Sequence, residues 1–276
     1  MNAQETAQVV AICRAAAGLR VDPEKPYLIE SRLAPVARRE GFGSVSDLLS
    51  AITAKREESL IWAAVEAMAG GETSFFRDRT PFADFVEEIA PQLARERPGQ
   101  VIRVWSAACA SGQEVYSLVM AADALAAGEG SPRIEFAASD LSRLALERAQ
   151  AGLYNQFEVQ RGLPIRLLAS RFEKDGEQWR LSPEIRRRVR WRRINLIAGL
   201  RELDRFDVVF CRYVLSHMTA DAQKKVIEDL AQVVAPDGYL VLGLTEQAPS
   251  LGDSFQPVAG KAGLYRPKPQ LRAAAA

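Results

Sequence analysis

The chain has 276 residues, 48% hydrophobic and 26% charged, with 36 Lys and Arg against 35 Asp and Glu. That apolar content excludes disorder, and Gly (18) and Pro (14) scattered without a repeat period exclude collagen-like and coiled-coil arrays. A net charge of +1 gives no global field for nucleic acid or an anionic membrane. The longest apolar runs fall far short of the ~20 residues that span a bilayer, and the polar start MNAQETAQ lacks a signal-peptide layout. Cys13, Cys109 and Cys211 are too few and too scattered for a disulfide framework or a zinc site. These features predict a cytoplasmic protein with reduced and mostly buried thiols, no metal, no nucleic-acid partner and no membrane insertion; a monomer is expected.

The first 70 residues read as a small helical bundle. Val9, Val10, Ile12, Cys13 and Ala16 recur at helical spacing before Gly18. Pro26 opens a second helix with Leu28, Ile29, Leu33, Val36 and Ala37 on one side, closed by Gly41. A third starts at Ser44 or Ser46, and a fourth runs from Glu58 to Met68 before Gly70-Gly71. Residues 71–80 form a linker, and 81–267 a second domain in which strands alternate with helices. The strands are VIRVWSA (101–107), RIEFAAS (133–139), FDVVFC (206–211) and GYLVLGL (238–244), the last after a Pro236-Asp237-Gly238 turn. The helices are 112–127, 141–151 and 221–234. This alternation predicts an α/β fold, a doubly wound and mainly parallel Rossmann-like sheet preceded by an all-α domain. The Asp175-Gly176 turn signal, with alternation at Val189, Trp191 and Ile194, predicts a small antiparallel insertion over 164–194. Residues 268–276 are a polar tail ending in four alanines, expected to be disordered.

Ligands of open α/β sheets sit at the carboxyl ends of the strands. After the first strand, Ser106-Ala107-Ala108-Cys109-Ala110-Ser111-Gly112-Gln113-Glu114 is a loop of small residues that lets a ligand approach the backbone. Glu114 is suited to a cationic group such as an amino-acid ammonium, and the missing GxGxxG argues against a dinucleotide. Asp140, at the end of the second strand, is suited to a ribose diol, or else caps the following helix. Together they favour a nucleoside bearing an ammonium, for which S-adenosylmethionine is the obvious candidate. Arg186, Arg187, Arg188, Arg190, Arg192 and Arg193 with Trp191 resemble a nucleic-acid surface. The preferred reading is a half-buried strand with Val189 and Trp191 inward and Arg190 and Arg192 in solvent. Arg32, Arg38 and Arg39 fit either an acidic helix of a partner or a solvated face.

GETSFFRD (71–78), VWSAACASGQEVYSLVM (104–120), ASDLSRLALERAQAGLY (138–154), INL (194–196), FDVVFCRYVL (206–215) and PDGYLVLGLTE (236–246) resemble, in order, the chemotaxis receptor methyltransferases, the CheR-type protein-glutamate O-methyltransferases. The resemblance spans roughly residues 5 to 266. It implies methyl transfer from S-adenosylmethionine to glutamates on the signalling helices of chemoreceptors, leaving S-adenosylhomocysteine. It further implies that Thr73 and Arg77 line the cofactor, Glu114 holds its ammonium and Asp140 its ribose. Asn195 and Leu196 would lie on the adenine side, and Tyr213 and Val214 would close the pocket. Arg77 would also hold the incoming carboxylate; a surface ion pair with Asp78 or Glu72 is the plainer alternative. The helical domain would recognise substrate, and the β insertion could dock a receptor C-terminal peptide.

The chain departs from the family patterns NETxFFRD and CRNVLIYF. Gly71 and Tyr213 stand where the family has Asn, and His217, the chain's one histidine, where it has an active-site Tyr. His217 either replaces that hydroxyl as a catalytic donor or is an ordinary, partly exposed histidine. Two rival readings remain open on the sequence: a degenerate relative that binds cofactor or partner without turnover, and a nucleic-acid methyltransferase.

Overall fold

The structure is a computed structural model and describes residues 1–125, 131–246, 248 and 250–269. Most of the expected tail lies outside the described residues. The chain forms two compact units: 1–70 with 214–226, and 71–213 with 227–276. The contiguous second domain of the sequence reading contains no such exchange of 214–226.

The helical unit contains α1 (Ala3–Ala17), α2 (Pro26–Arg39), α3 (Val45–Lys55) and α4 (Glu58–Ala69). Asn2 and Glu5 form a reciprocal capping box at the start of α1, and Gly18 ends it in the left-handed conformation at φ 65°. Val9, Cys13 and Ala17 face the core of this unit. In α2 the buried positions are Ile29, Leu33, Val36 and Ala37, whereas Leu28 is 42% exposed, because a helix buries one stripe and Leu28 lies outside it. Arg32 is not simply solvated: it donates to the carbonyl of Met68 at the end of α4, 2.8 Å away. Ser44 is the cap of α3. Residues 214–226 join this unit through a Leu19–Met218 bridge, with Arg20 N donating to the carbonyl of His217 (2.8 Å) and Thr219 N to that of Gly18 (2.8 Å).

The second unit is built on a seven-stranded sheet. Its strands are β1 (Val101–Ala107), β2 (Arg133–Asp140), β6 (Val189–Arg193), β7 (Phe206–Phe210), β8 (Val234–Val241), β9 (Phe255–Pro257) and β10 (Leu264–Pro267). The order is β6-β2-β1-β7-β8-β10-β9. The first five are parallel, and β10 runs antiparallel to both its neighbours. Val104, Trp105, Ser106 and Ala107 of β1 are all buried, the continuous burial expected of a parallel strand covered on both faces. Chain order reverses around β1, which lies between β2 and β7, so the binding crevice opens beyond the ends of these strands. The Pro236-Asp237-Gly238 turn falls inside β8 as a bulge opposite Asp207. A Cβ on Gly238 would stand 2.6 Å from the Asp207 carbonyl oxygen, so the close approach requires glycine.

The insertion differs from the sequence reading. Its antiparallel sheet consists of β3 (Leu153–Asn155), β4 (Phe172–Asp175) and β5 (Gln178–Leu181) in the order β3-β5-β4, with Gly176 at φ 59° in the turn. Val189–Arg193 is not part of it but pairs in parallel with β2 as an edge of the main sheet. Period-two alternation is the same for both kinds of edge strand, so the local pattern does not name the partner. Val189 is buried, Trp191 half-buried, and Arg190 and Arg192 exposed, as expected for that strand. Arg188 pairs with Asp123 and Arg190 with Glu135, which neutralises part of the arginine cluster.

The segments Thr80–Asp84, Phe85–Ile89 and Ala90–Glu96 form one helical run with a π turn in the middle. Pro81 and Pro91 mask it in the sequence. It buries Phe82, Phe85, Ile89 and Leu93 in the core. Immediately before it, Phe75 is fully buried, edge-to-face with Tyr154 and Phe172 at 5.0 and 5.7 Å. Phe76 N donates to Ser117 Oγ at 2.9 Å. The linker motif is therefore a fixed part of this unit. Among the described residues no helix is long and apolar enough to cross a membrane.

All three thiols are buried. Burial pushes Cys13 up to about 12, and burial with nearby carboxylates raises Cys109 and Cys211 well above the ordinary thiol value. All three are thus protonated and shielded at pH 8. A disulfide exchange reagent at that pH is expected to leave the native protein unmodified and to titrate all three thiols after unfolding in guanidinium; rapid labelling of the native protein would contradict the packing.

Candidate active site

The loop leaving β1 is bent by Ala108 (φ 54°), Ala110 (φ 49°) and Gly112 (φ 92°). Left-handed backbone at each alanine costs about 1–3 kcal/mol and needs compensation. Cys109 N donates to the carbonyl of Ser139 (2.9 Å), Ala110 N to Asp140 Oδ2 (2.8 Å) and Gly112 N to the carbonyl of Cys109 (3.0 Å). This curl delivers Glu114 into the first turn of the helix Gln113–Ala122. Its side chain is only 13% exposed. Oε1 accepts from Ser106 Oγ at 2.8 Å and Oε2 from Arg212 Nη1 at 3.0 Å. A carboxylate has roughly four acceptor positions, so these bonds orient Glu114 without exhausting it.

Asp140 does not cap the helix after β2. Ser142 does, accepting from Ala145 N at 3.2 Å, while Asp140 Oδ1 accepts from Ser142 N at 2.8 Å. The carboxylate is thus fastened to the loops after both β1 and β2. The adjoining β6 brings Ile194, whose N–H donates to the Asp140 carbonyl at 3.1 Å. Asn195 follows directly, its side chain accepting from Ile197 N at 3.3 Å, and Leu196 is buried.

At the end of β7, Arg212 is buried, its side chain 1% exposed. It reaches Glu114 through Nη1, and through Nη2 both Asp78 Oδ2 (2.6 Å) and the Arg77 carbonyl (2.9 Å). Tyr213 donates its hydroxyl to Asp78 Oδ2 at 2.5 Å, and its N–H to Glu246 Oε2 at 2.6 Å. Burial, then the bond to Asp78 and its charge, raise the Tyr213 phenol above its ordinary value, so it remains a donor at neutral pH. The Arg77 guanidinium carbon lies 3.7 Å from the centre of the Tyr213 ring. The simple ion pair considered for Arg77 does not form: Glu72 pairs with Arg161 at 2.6 Å and Asp78 with Arg212. Arg77 makes a long 3.4 Å contact with the Glu72 carbonyl.

Of the expected site residues, Arg77, Glu114 and Tyr213 are brought together through Arg212, and Asp140 adjoins Asn195 across β2 and β6. Thr73 is half-buried at the start of the linker motif. Val214 and His217 belong to the helical unit, where the His217 side chain is exposed. Gly71 is exposed, and a Cβ there would make only an ordinary 3.8 Å contact with Ala110. Sequence reasoning missed Arg212, Asp78, Ser106 and Glu246. A charge directly after the apolar strand FDVVFC was the available signal, because a buried guanidinium demands carboxylates. The donor set fits S-adenosylmethionine. Carboxylates at the ends of β1 and β2 suit a cationic amino-acid group and a ribose diol, and would repel a pyrophosphate.

Removing Arg212 leaves Glu114 and Asp78 without their shared cation. Arg212→Met is expected to destabilise the protein by about 3 kcal/mol, read as a lower urea midpoint; a loss below roughly 1 kcal/mol would show that the pair is solvent-screened.

Residues 71–264 match the family described as "CheR methyltransferase, SAM binding domain". The chain is 36% identical over 247 residues to Chemotaxis protein methyltransferase Cher2 of Pseudomonas putida, covering 88% of this chain and 90% of that one. It is 36% identical over 256 residues to Chemotaxis protein methyltransferase 1 of Pseudomonas aeruginosa, covering 91% and 93%. Among solved structures, N-methyltransferase NodS from Bradyrhizobium japonicum, in complex with S-adenosyl-l-homocysteine, is a distant likeness at 16% identity and TM-score 0.40, covering 68% of this chain and 84% of its own. The chain belongs to the CheR family of chemotaxis protein methyltransferases, whose cofactor is S-adenosylmethionine.

Proposed function

We propose that the protein methylates glutamate side chains on the cytoplasmic signalling helices of chemoreceptors, forming glutamate methyl esters. The observation that carries this reading is that one buried guanidinium, Arg212, ties Glu114 to the backbone of Arg77. The same cation thus holds Glu114, an acid suited to the cofactor's ammonium, and the backbone of Arg77, whose guanidinium is suited to an acceptor carboxylate.

Glu114 and Asp140 would hold S-adenosylmethionine by its ammonium and ribose, with Asn195 and Leu196 on the adenine side and Thr73 along the linker. Bound there, the cofactor supplies a sulfonium methyl group that an ionised carboxylate can accept. A glutamate with an ordinary pKa near 4.3 is already ionised at neutral pH, so the residues around it need not remove a proton. Their task is orientation. A guanidinium fork can hold both carboxylate oxygens, and alignment of reactants can lower a barrier by several kcal/mol.

The test pairs calorimetry with transfer of labelled methyl groups to receptor cytoplasmic fragments. The parent is expected to bind S-adenosylmethionine and S-adenosylhomocysteine and to leave base-labile label on the receptor. Asp140→Asn should weaken cofactor binding about tenfold, the worth of a hydrogen bond to a charged group. Arg77→Lys, which keeps charge but loses the fork, should lower kcat by roughly tenfold or more. Cofactor binding without label on any receptor of the source organism would overturn the activity, and absence of binding would overturn the site.

A further inference from the structure

We propose that Tyr213 is a positioning residue that seats the Arg77 guanidinium in one orientation, and that Gly243 keeps the space for its ring. The proposal rests on the methyl-transfer reading for its consequence in catalysis, but the seat itself is a property of the free protein.

The guanidinium carbon of Arg77 lies 3.7 Å from the ring centre, within cation–π range, while Arg212 approaches the same ring at 5.5 Å. Stacking uses the face of a planar guanidinium and leaves its N–H edge free. That is what an acceptor-holding arginine requires: a restrained plane whose donors are engaged by nothing stronger than the long 3.4 Å contact of Nη1 with the Glu72 carbonyl. The ring is itself pinned. Its hydroxyl donates to Asp78 Oδ2, the oxygen that also accepts from Arg212, and its backbone N–H donates to Glu246.

Two features show that the surroundings are shaped to the ring. Tyr213 is held at φ 58°, a conformation that disfavours aromatic residues, and the bond to Glu246 helps to hold it there. Gly243 lies beneath it: a Cβ at 243 would stand 2.7–2.8 Å from three ring carbons. Glu246 accepts from Gly243 N as well, at 3.2 Å, joining seat and backbone through one carboxylate. An asparagine at 213, as in the family pattern, would suit the backbone better and could not stack on Arg77 in this way. The tyrosine therefore does something the departure from that pattern would not by itself suggest.

The experiment follows the Arg77 side-chain resonances by NMR in the free protein, identified by their loss in Arg77→Lys, beside steady-state transfer kinetics. In the parent these resonances should be shifted upfield by the Tyr213 ring current. The shift should persist in Tyr213→Phe and vanish in Tyr213→Asn, which suits the left-handed backbone and keeps the fold. Gly243→Ala, by displacing the ring, should reduce it. In kinetics, Tyr213→Asn should lower kcat/KM for the acceptor about tenfold. The same substitution should cost much less in the Arg77→Lys background. An unshifted Arg77 in the parent, or equal losses in both backgrounds, overturns the seat. A shifted Arg77 in a parent that transfers no methyl group overturns the methyl-transfer reading and leaves the seat standing.

Discussion

The buried guanidinium of Arg212 is the constraint around which the site is organised. A cation almost wholly removed from water must be met by carboxylates, and Asp78 and Glu114 meet it from two different parts of the chain. Satisfying that demand brings the linker motif, the helix after β1 and the end of β7 to one point. Among the described residues its Nε has no hydrogen-bond partner, so the pairing is carried by the two terminal nitrogens. The arrangement is less a source of stability than a geometric specification: such a pair tolerates few relative placements of the three segments.

The linker would not remain at that point on the strength of one ion. Phe75 supplies the apolar anchor, wedged among Tyr154 and Phe172, and the next residue is fixed by Ser117. The small antiparallel sheet, which contributes Tyr154 from β3 and Phe172 from β4, thereby supports the linker motif. The tyrosine hydroxyl of Tyr154 also donates to the Ser111 carbonyl at 2.8 Å, in the loop after β1. Core packing and the loop after β1 are thus connected through the same aromatic residue, which gives that cluster a bearing on the candidate site as well as on stability.

Much of the fold was legible in the chain. Long apolar runs such as VIRVWSA and FDVVFC could only be buried strands when bounded by polar turns, and their alternation with helical patterns implied a parallel sheet. Glu114 and Asp140 were visible as acids at the ends of such strands. The partner of β6 was not visible, because an edge strand reads the same in either sheet, and the helical run over Thr80–Glu96 was hidden by its prolines. Strands β9 and β10 are too short for a periodic signal; β10 pairs with β8, and β9 with β10.

The sequence by itself determined the main strands and helices, the acids that stand beyond the ends of two of those strands, and the family to which its motifs point, since these depend on local periodicity and on residues adjacent in the chain. Only the tertiary structure decided the pairings of the charges and rings. Asp78 could have answered Arg77 beside it but answers Arg212, which lies 134 positions away, and Tyr213 lies against Arg77 and above Gly243. Such choices depend on burial and distance in space, and a one-dimensional order of residues contains neither.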